Sequence, residues 1–206
     1  MAFLPLLIDM NGMPCLVAGG GAIALHKAEK LLEHGADVTV VAPEICPEIT
    51  ALPVKTCRRR AEAKDCEGMA LVADATGDRG AEELLSKACA GLRIPYICAG
   101  SGELCTAILP AVYSSGRTVV AVSSKGASPA ASAWLRDYLA NMIPDNMDAV
   151  LDRMAEIRLT AKDSLDRQPV RREFMRRCLD KMIKTGEIIS DTEIKEMLKG
   201  YLGEGL

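Results

Sequence analysis

The stretch Pro14-Cys15-Leu16-Val17-Ala18-Gly19-Gly20-Gly21-Ala22-Ile23-Ala24 decides the fold. A short apolar run leads into three glycines, after which Ile23, Leu25, Ala28, Leu31 and Leu32 recur at helical spacing as far as His34. Residues 19–24 fit the pattern G-x-G-x-x-A. In that pattern Gly19 permits the turn, and Gly21 lets the backbone approach a pyrophosphate. Ala24 lets helix and strand pack closely, and the helix N-terminus faces the phosphates. Read in this context, the loop predicts a dinucleotide site centred on Gly19 and Gly21. The competing reading is a glycine-rich turn of an α/β domain that binds nothing.

The flanking segments continue the alternation. Gly35 stands where a helix ends in the left-handed conformation. Val38–Val41 reads as a second buried strand, residues 54–56 as a weaker third, 69–73 as a fourth and 95–98 as a fifth, with a helix over 78–92. Apolar strands alternating with amphipathic helices predict an α/β fold, with a Rossmann-like parallel sheet covered on both faces. The pattern then changes. Segments 108–112 and 119–122 read as a strand pair joined by a turn over 113–118. Ser128-Pro129 reads as a helix start carrying Ala133, Trp134, Leu135, Tyr138 and Leu139. From Pro144 onward everything reads as helix. The expected organisation is a nucleotide-binding domain over 1–112, a segment of hairpin strand plus helix over 113–143, and a small all-helical domain over 144–206.

Composition removes several classes. The 206 residues are nearly half apolar, a quarter charged and poor in aromatics, with two Phe, four Tyr and one Trp. Base-stacking platforms for single-stranded nucleic acid are therefore scarce, and a net charge of −3 supplies no global basic field. No apolar run approaches a membrane span, and the opening residues have no basic stretch or cleavage site of a signal peptide. A cytoplasmic protein is expected, with no nucleic-acid and no membrane partner. The eight cysteines are scattered without CxxC spacing and read as free thiols; no metal site is expected, and Cys98 and Cys105 are the pair to watch. The second strand ends Val41-Ala42-Pro43-Glu44, which puts an acid slightly late for ribose hydroxyls and no Arg beside it for a 2′-phosphate. That leaves a slight preference for NAD over NADP.

Further landmarks keep a recognisable order. Leu4-Pro5-Leu6, Val17-Ala18-Gly19-Gly20-Gly21, Val40-Val41-Ala42-Pro43, Ala73-Asp74-Ala75-Thr76, Glu103-Leu104-Cys105, Leu109-Pro110-Ala111 and residues 122–129 together resemble the precorrin-2 dehydrogenase family, which includes the dehydrogenase half of siroheme synthase. The resemblance runs through about the first 140 residues. It implies NAD-dependent oxidation of precorrin-2 to sirohydrochlorin in siroheme or related tetrapyrrole biosynthesis, by a homodimer with 113–143 as its dimerisation segment; some members also insert ferrous iron, which makes a bifunctional dehydrogenase with sirohydrochlorin ferrochelatase activity an alternative. It implies cofactor contacts at Ala22, Ile23, Pro43, Glu44 and Thr76, and a substrate site including Gly100, Ser101, Ser124 and Lys125, with Ser124 as the candidate catalytic residue. The family carries an Asp after the fifth strand where this chain has Gly100. Either that Asp is dispensable here, or Ser101 or Glu103 substitutes, or catalysis is lost and the protein only binds a tetrapyrrole.

A substrate with eight carboxylates calls for cations. Arg117, Lys125 and Arg136 are the first candidates. Arg58-Arg59-Arg60, Arg171-Arg172 and Arg176-Arg177 are the visible clusters, the tail pairs reading first as a solvated helix face beside Glu173 and Asp180. His34 reads as a helix C-terminal residue facing the dipole and His26 as a surface or packing residue. Met142, Met147, Met154, Met175 and Met182 read as helix–helix core.

Overall fold

The structure, a computed structural model, describes residues 3–202. Five strands form one wholly parallel sheet: β1 (Pro14–Ala18), β2 (Asp37–Val41), β3 (Lys55–Cys57), β4 (Leu71–Asp74) and β5 (Tyr96–Cys98), ordered β3-β2-β1-β4-β5. Parallel neighbours require crossovers, which α1 (Ala22–Glu33), α2 (Pro47–Thr50) and α3 (Arg79–Leu92) supply. The strand order reverses beside β1, and the crevice outside the carboxyl ends at such a switch is where α/β sheets bind ligands.

Side-chain alternation in β1 sets both faces of the sheet. Cys15 and Val17 pack with Ala24, Ala28 and Leu31 of α1, while Leu16 and Ala18 pack with Leu85 and Cys89 of α3 and with Tyr96. Every one of these is buried, each larger aliphatic side chain contributing roughly 1.5–3 kcal/mol. Burial pushes the Cys15 thiol up to about 11, so it acts as a small apolar group. Helix α1 ends at His34, whose Nδ1 lies 2.8 Å from the Lys30 carbonyl oxygen, and Gly35 follows at φ +78°. His26 is exposed. Helix α3 starts on Asp78, which accepts from the Gly80 and Ala81 N–H groups at 2.9 and 3.3 Å.

The chain divides into two compact units, the first comprising residues up to Leu109 together with Lys125–Ala127 and the second Pro110–Ser124 with everything from Ser128. The second unit opens with an antiparallel hairpin of β6 (Ala111–Ser115) and β7 (Thr118–Val122). The turn is shorter than the sequence reading over 113–118: Ser115 already pairs with Thr118, leaving only Gly116 and Arg117 between the strands. Gly116 at φ +52° suits a two-residue hairpin turn, and Asp148 fixes it by accepting from the Arg117 N–H at 2.9 Å.

Helix α4 (Pro129–Ala140) begins as its sequence predicts, Ser128 Oγ accepting from the Ala131 N–H at 3.1 Å. Three further helices, α5 (Met147–Ser164), α6 (Gln168–Thr185) and α7 (Asp191–Leu202), bury Val150, Ile157, Phe174, Cys178, Met182 and Ile194 among themselves. Met147, Met154 and Met175 pack against that core, but Met142 does not; it is 65% exposed in the turn after α4, beyond the reach of any helix-period argument. Ser190 and Glu193 form a reciprocal cap at the start of α7, and Lys181 donates to Glu193 at 2.6 Å. These bonds lower the Glu193 carboxyl from its ordinary 4.5 to about 2. Among the described residues no helix is long and apolar enough to cross a membrane.

Candidate functional site

The carboxyl ends of the central strands share one register row, Val41, Ala18, Asp74 and Cys98. The glycine loop leaves this row from Ala18, and its three glycines do different work. Gly19 sits at φ +124°, where a Cβ would come within 2.5 Å of the Ala75 carbonyl oxygen. A Cβ on Gly20 would overlap the Glu44 carbonyl oxygen, and the Cys46 N–H donates to the Gly20 carbonyl at 2.9 Å. Those two glycines let the loop close on its neighbours. Gly21 differs: a Cβ there would meet nothing within 4 Å. It is also the N-cap of α1, with no side-chain cap and no acidic residue in the first turn. Open space over an uncapped helix N-terminus suits the diphosphate of a dinucleotide, so these residues fit such a cofactor.

Ala22 and Ile23 are exposed beside that opening, Ile23 by 58%. Pro43 and Glu44 are exposed beyond β2, the Glu44 backbone resting against Gly20. Thr76 stands on the other side, where its N–H and hydroxyl both donate to Asp74 Oδ1 at 2.8 and 2.7 Å. The fold thus brings Gly19, Gly21, Ala22, Ile23, Pro43, Glu44 and Thr76 around the carboxyl ends of β1, β2 and β4. It adds Arg58, which follows Cys57, the register partner of Val41. The linear sequence shows no Arg after the second strand; the sheet supplies one from the neighbouring strand. Arg59 and Arg60 are engaged by Asp65 and Asp78.

A buried polar cluster continues the row toward β5. The Tyr96 hydroxyl donates to Asp74 Oδ2 at 2.8 Å and lies 3.1 Å from the Glu82 carbonyl oxygen. Burial, then the Asp74 carboxylate, raise the Tyr96 phenol well above its ordinary range, so it remains a donor. Both Asp74 oxygens are therefore committed to holding the loop. Glu82, from α3, is 4% exposed; its Oε2 accepts from Ser101 Oγ at 2.5 Å. Ser101 in turn accepts from Arg79 Nη1 at 2.7 Å, and Arg79 pairs with Glu83 and Glu103 at the surface. Lys27, half-buried on α1, has its pKa lowered by desolvation, opposed by Cys105, Cys98 and Asp74. Cys98 and Cys105 form a hydrogen-bonded clasp, Cys105 Sγ accepting from the Cys98 N–H at 3.1 Å. Among the described residues no three His, Cys, Asp or Glu groups are placed to hold a metal ion.

Sequence reasoning missed Glu82. Its spacing from Leu85 and Cys89 places it on the buried face of α3, but an acid in a first helical turn reads as a solvent-facing dipole partner, and the contact with Gly100, eighteen positions away, is not local in sequence. A Cβ on Gly100 would overlap Glu82 Oε1, with Cδ at 3.2 Å.

Ser124 belongs to the second unit, where its hydroxyl donates to the Ser128 carbonyl at 3.0 Å and accepts from the Ser128 N–H at 2.9 Å and from Ser132 Oγ at 3.0 Å. In this arrangement it clasps the 124–128 loop. Lys125 holds a left-handed backbone at φ 54°. Arg117 pairs with Asp152 at 2.6 Å and Arg136 with Asp137 at 2.6 Å. In the tail, Arg176 pairs with Glu173 at 3.2 Å, consistent with a solvated helix face.

Residues 6–111 match a family described as putative NAD(P)-binding. Siroheme synthase of Nitrosospira multiformis is 37% identical over 187 residues, which cover 87% of this chain and 40% of that protein. Siroheme synthase of Methylococcus capsulatus is 32% identical over 184 residues, covering 87% and 39%. The chain thus spans about 40% of the length of the curated relatives it matches. The solved structure of SirC, a precorrin-2 dehydrogenase, has a TM-score of 0.66 over 98% of this chain and all of that one; at 22% identity this shows a shared fold.

Proposed function

The chain belongs to the putative NAD(P)-binding family and is a relative of siroheme synthases, and from that premise we propose that it is a dehydrogenase that oxidises precorrin-2 to sirohydrochlorin with NAD. The observation that carries this reading is the open cradle at Gly21, on the uncapped N-terminus of α1 at the switch point of the sheet. There the first N–H groups of α1 would hold a diphosphate, flanked by Ile23, and Glu44 would reach ribose hydroxyls. A bound nicotinamide supplies the hydride acceptor. The protein's own part is to hold donor and acceptor in place and to manage the proton. Asp74, locked by Thr76 and Tyr96, keeps the loop between β4 and α3 rigid beside the cradle.

Arg58 at the same edge bears on the choice of dinucleotide. An exposed guanidinium there would welcome a 2′-phosphate, whereas Glu44 disfavours one. The Glu44 backbone lies against the glycine loop, which anchors that acid closer to the cradle than Arg58 and supports NAD. Titration with both dinucleotides tests this: tighter NAD binding that weakens in Glu44→Ala is expected, and NADP preference lost in Arg58→Ala would reverse the assignment. The reaction is tested by anaerobic incubation with precorrin-2 and dinucleotide, followed by the sirohydrochlorin spectrum.

The protein acts as a homodimer through the hairpin and α4. Trp134 and Tyr138 stack at 5.6 Å with 66% and 53% of their surfaces exposed, and Met142 and Val119 are exposed in the same unit, an apolar surface that supports association. A second reading, tetrapyrrole binding without turnover, is favoured by one observation: the Ser124 hydroxyl is fully occupied by Ser128 and Ser132. It predicts tetrapyrrole binding with no NADH formed.

A further inference from the structure

Two carboxylates are buried among the described residues, Asp74 and Glu82. Both lie in the first unit, at or beside the carboxyl edge of its sheet. Asp74 is spent on structure, with Thr76 on one oxygen and Tyr96 on the other. Glu82 is different. One oxygen accepts a hydroxyl proton from Ser101, the neutral Cys98 thiol is the other side chain that meets the carboxylate, and the cation nearest in the hydrogen-bond chain, Arg79, is reached only through the serine. A buried carboxylate without a cation in contact is costly, and folds keep such groups chiefly where they do chemistry.

The geometry at Gly100 shows where this carboxylate is presented. Gly100 is exposed and its backbone is outside the left-handed region, so main-chain strain does not demand glycine there. What stands in the way of a side chain is the far end of Glu82: its Oε1 occupies the place a Cβ would take, so any larger residue must displace that carboxylate. The loop after β5 thus has a carboxylate at residue 100 without having an acidic residue there. It is supplied from below by α3 and covered by a glycine.

We propose that Glu82 is the proton acceptor of the active site. This rests on the dehydrogenase reading given above. Oxidation of precorrin-2 removes two hydrogens. One C–H bond breaks with its electron pair, which leaves as hydride to the dinucleotide. A second hydrogen leaves as a proton to Glu82 Oε1, and the pair it leaves behind becomes the new double bond of the macrocycle. The protonated Glu82 then releases its proton to water past Gly100. The Arg79–Ser101 chain holds Oε2 still, so that Oε1 is the oxygen offered.

The test compares wild type, Glu82→Gln, Glu82→Ala, Gly100→Asp and the double variant Glu82→Ala/Gly100→Asp. Glu82→Gln keeps the size of the side chain and an oxygen for Ser101. A merely structural role therefore predicts unchanged kcat, whereas loss of a general base predicts a fall of about 10²-fold or more. KM and the affinity for a tetrapyrrole measured without dinucleotide should stay level or tighten, because a negative charge has gone. Gly100→Asp alone should lose activity by displacing Glu82, while the double variant should run faster than Glu82→Ala by returning a carboxylate to the loop. Independently of activity, Gly100→Ala should lower Tm in the wild-type background and not in the Glu82→Ala background. Full kcat in Glu82→Gln, or a double variant no faster than Glu82→Ala, overturns the assignment alone. An equal Tm loss in both backgrounds overturns its geometric premise. A wild type that binds dinucleotide but makes no sirohydrochlorin overturns the dehydrogenase reading and this assignment with it.

Discussion

Placing a methyl group on Gly20 drives it into the Glu44 carbonyl, a backbone atom that cannot swing away, while the same change at Gly21 meets open space. Gly20→Ala should therefore destabilise the first unit by about 1–3 kcal/mol, as overpacking does. Gly21→Ala should leave stability within about 0.5 kcal/mol, as surface changes do, and weaken NAD binding at least tenfold. Urea unfolding and dinucleotide titration of both variants check the pair. Loss of NAD binding in neither, or loss of stability in Gly21→Ala, contradicts the assignment. At this scale the glycine loop was legible because its spacing is local, and the structure sharpened it by separating the glycines that pack from the one that leaves room. Glu82 was not legible. Its proposed role depends on a helix side chain filling the Cβ position of a distant glycine, a contact that no periodicity announces. Arg58 was legible only as one of a basic cluster, since strand pairing alone brings it beside the end of β2.

At the scale of elements, the alternation of β1 and the spacing in α1 were enough to predict the parallel sheet, because burial on both faces leaves a continuous apolar run. The hairpin was read less well. Ser114 and Ser115 look like turn residues, yet they extend β6, because Asp148 from α5 anchors the turn at Gly116 and Arg117. Helix starts carry measurable energies. Ser128→Ala removes the cap of α4 and should cost about 1 kcal/mol, seen as a lower denaturation midpoint. In the helical region, Phe174 is fully buried and meets Tyr201 edge to face, so Phe174→Ala should cost about 3–5 kcal/mol. The α7 latch is pH-dependent. The folded Glu193 carboxyl lies near 2 against an ordinary 4.5, so its contribution is present above 4.5 and is lost as pH falls toward 2. Asp191, held low by Arg153, acts in the same direction. Helicity followed by circular dichroism in an acid titration should fall over that window, and Glu193→Gln should flatten that part of the curve.

For the whole molecule, the scarcity of aromatics acquires a location. Tyr96 and Phe174 are interior, Tyr201 packs on Phe174, and Trp134 with Tyr138 form the exposed stacked pair of α4. If that pair is covered by a second copy, Trp134→Glu with Tyr138→Glu should yield a monomer in sedimentation while NAD binding survives; a wild type that is monomeric at the same concentration contradicts the dimer. A macrocycle bound in the proposed reaction would have few rings to stack on and would be gripped through its carboxylates and aliphatic walls. In the proposed reaction a hydride passes from that macrocycle to NAD. An anaerobic single-turnover experiment, with enzyme in excess over precorrin-2 and NAD present, measures it directly. One NADH is expected for each sirohydrochlorin formed. Precorrin-2 bound and unchanged, with NAD bound and no NADH, would contradict it.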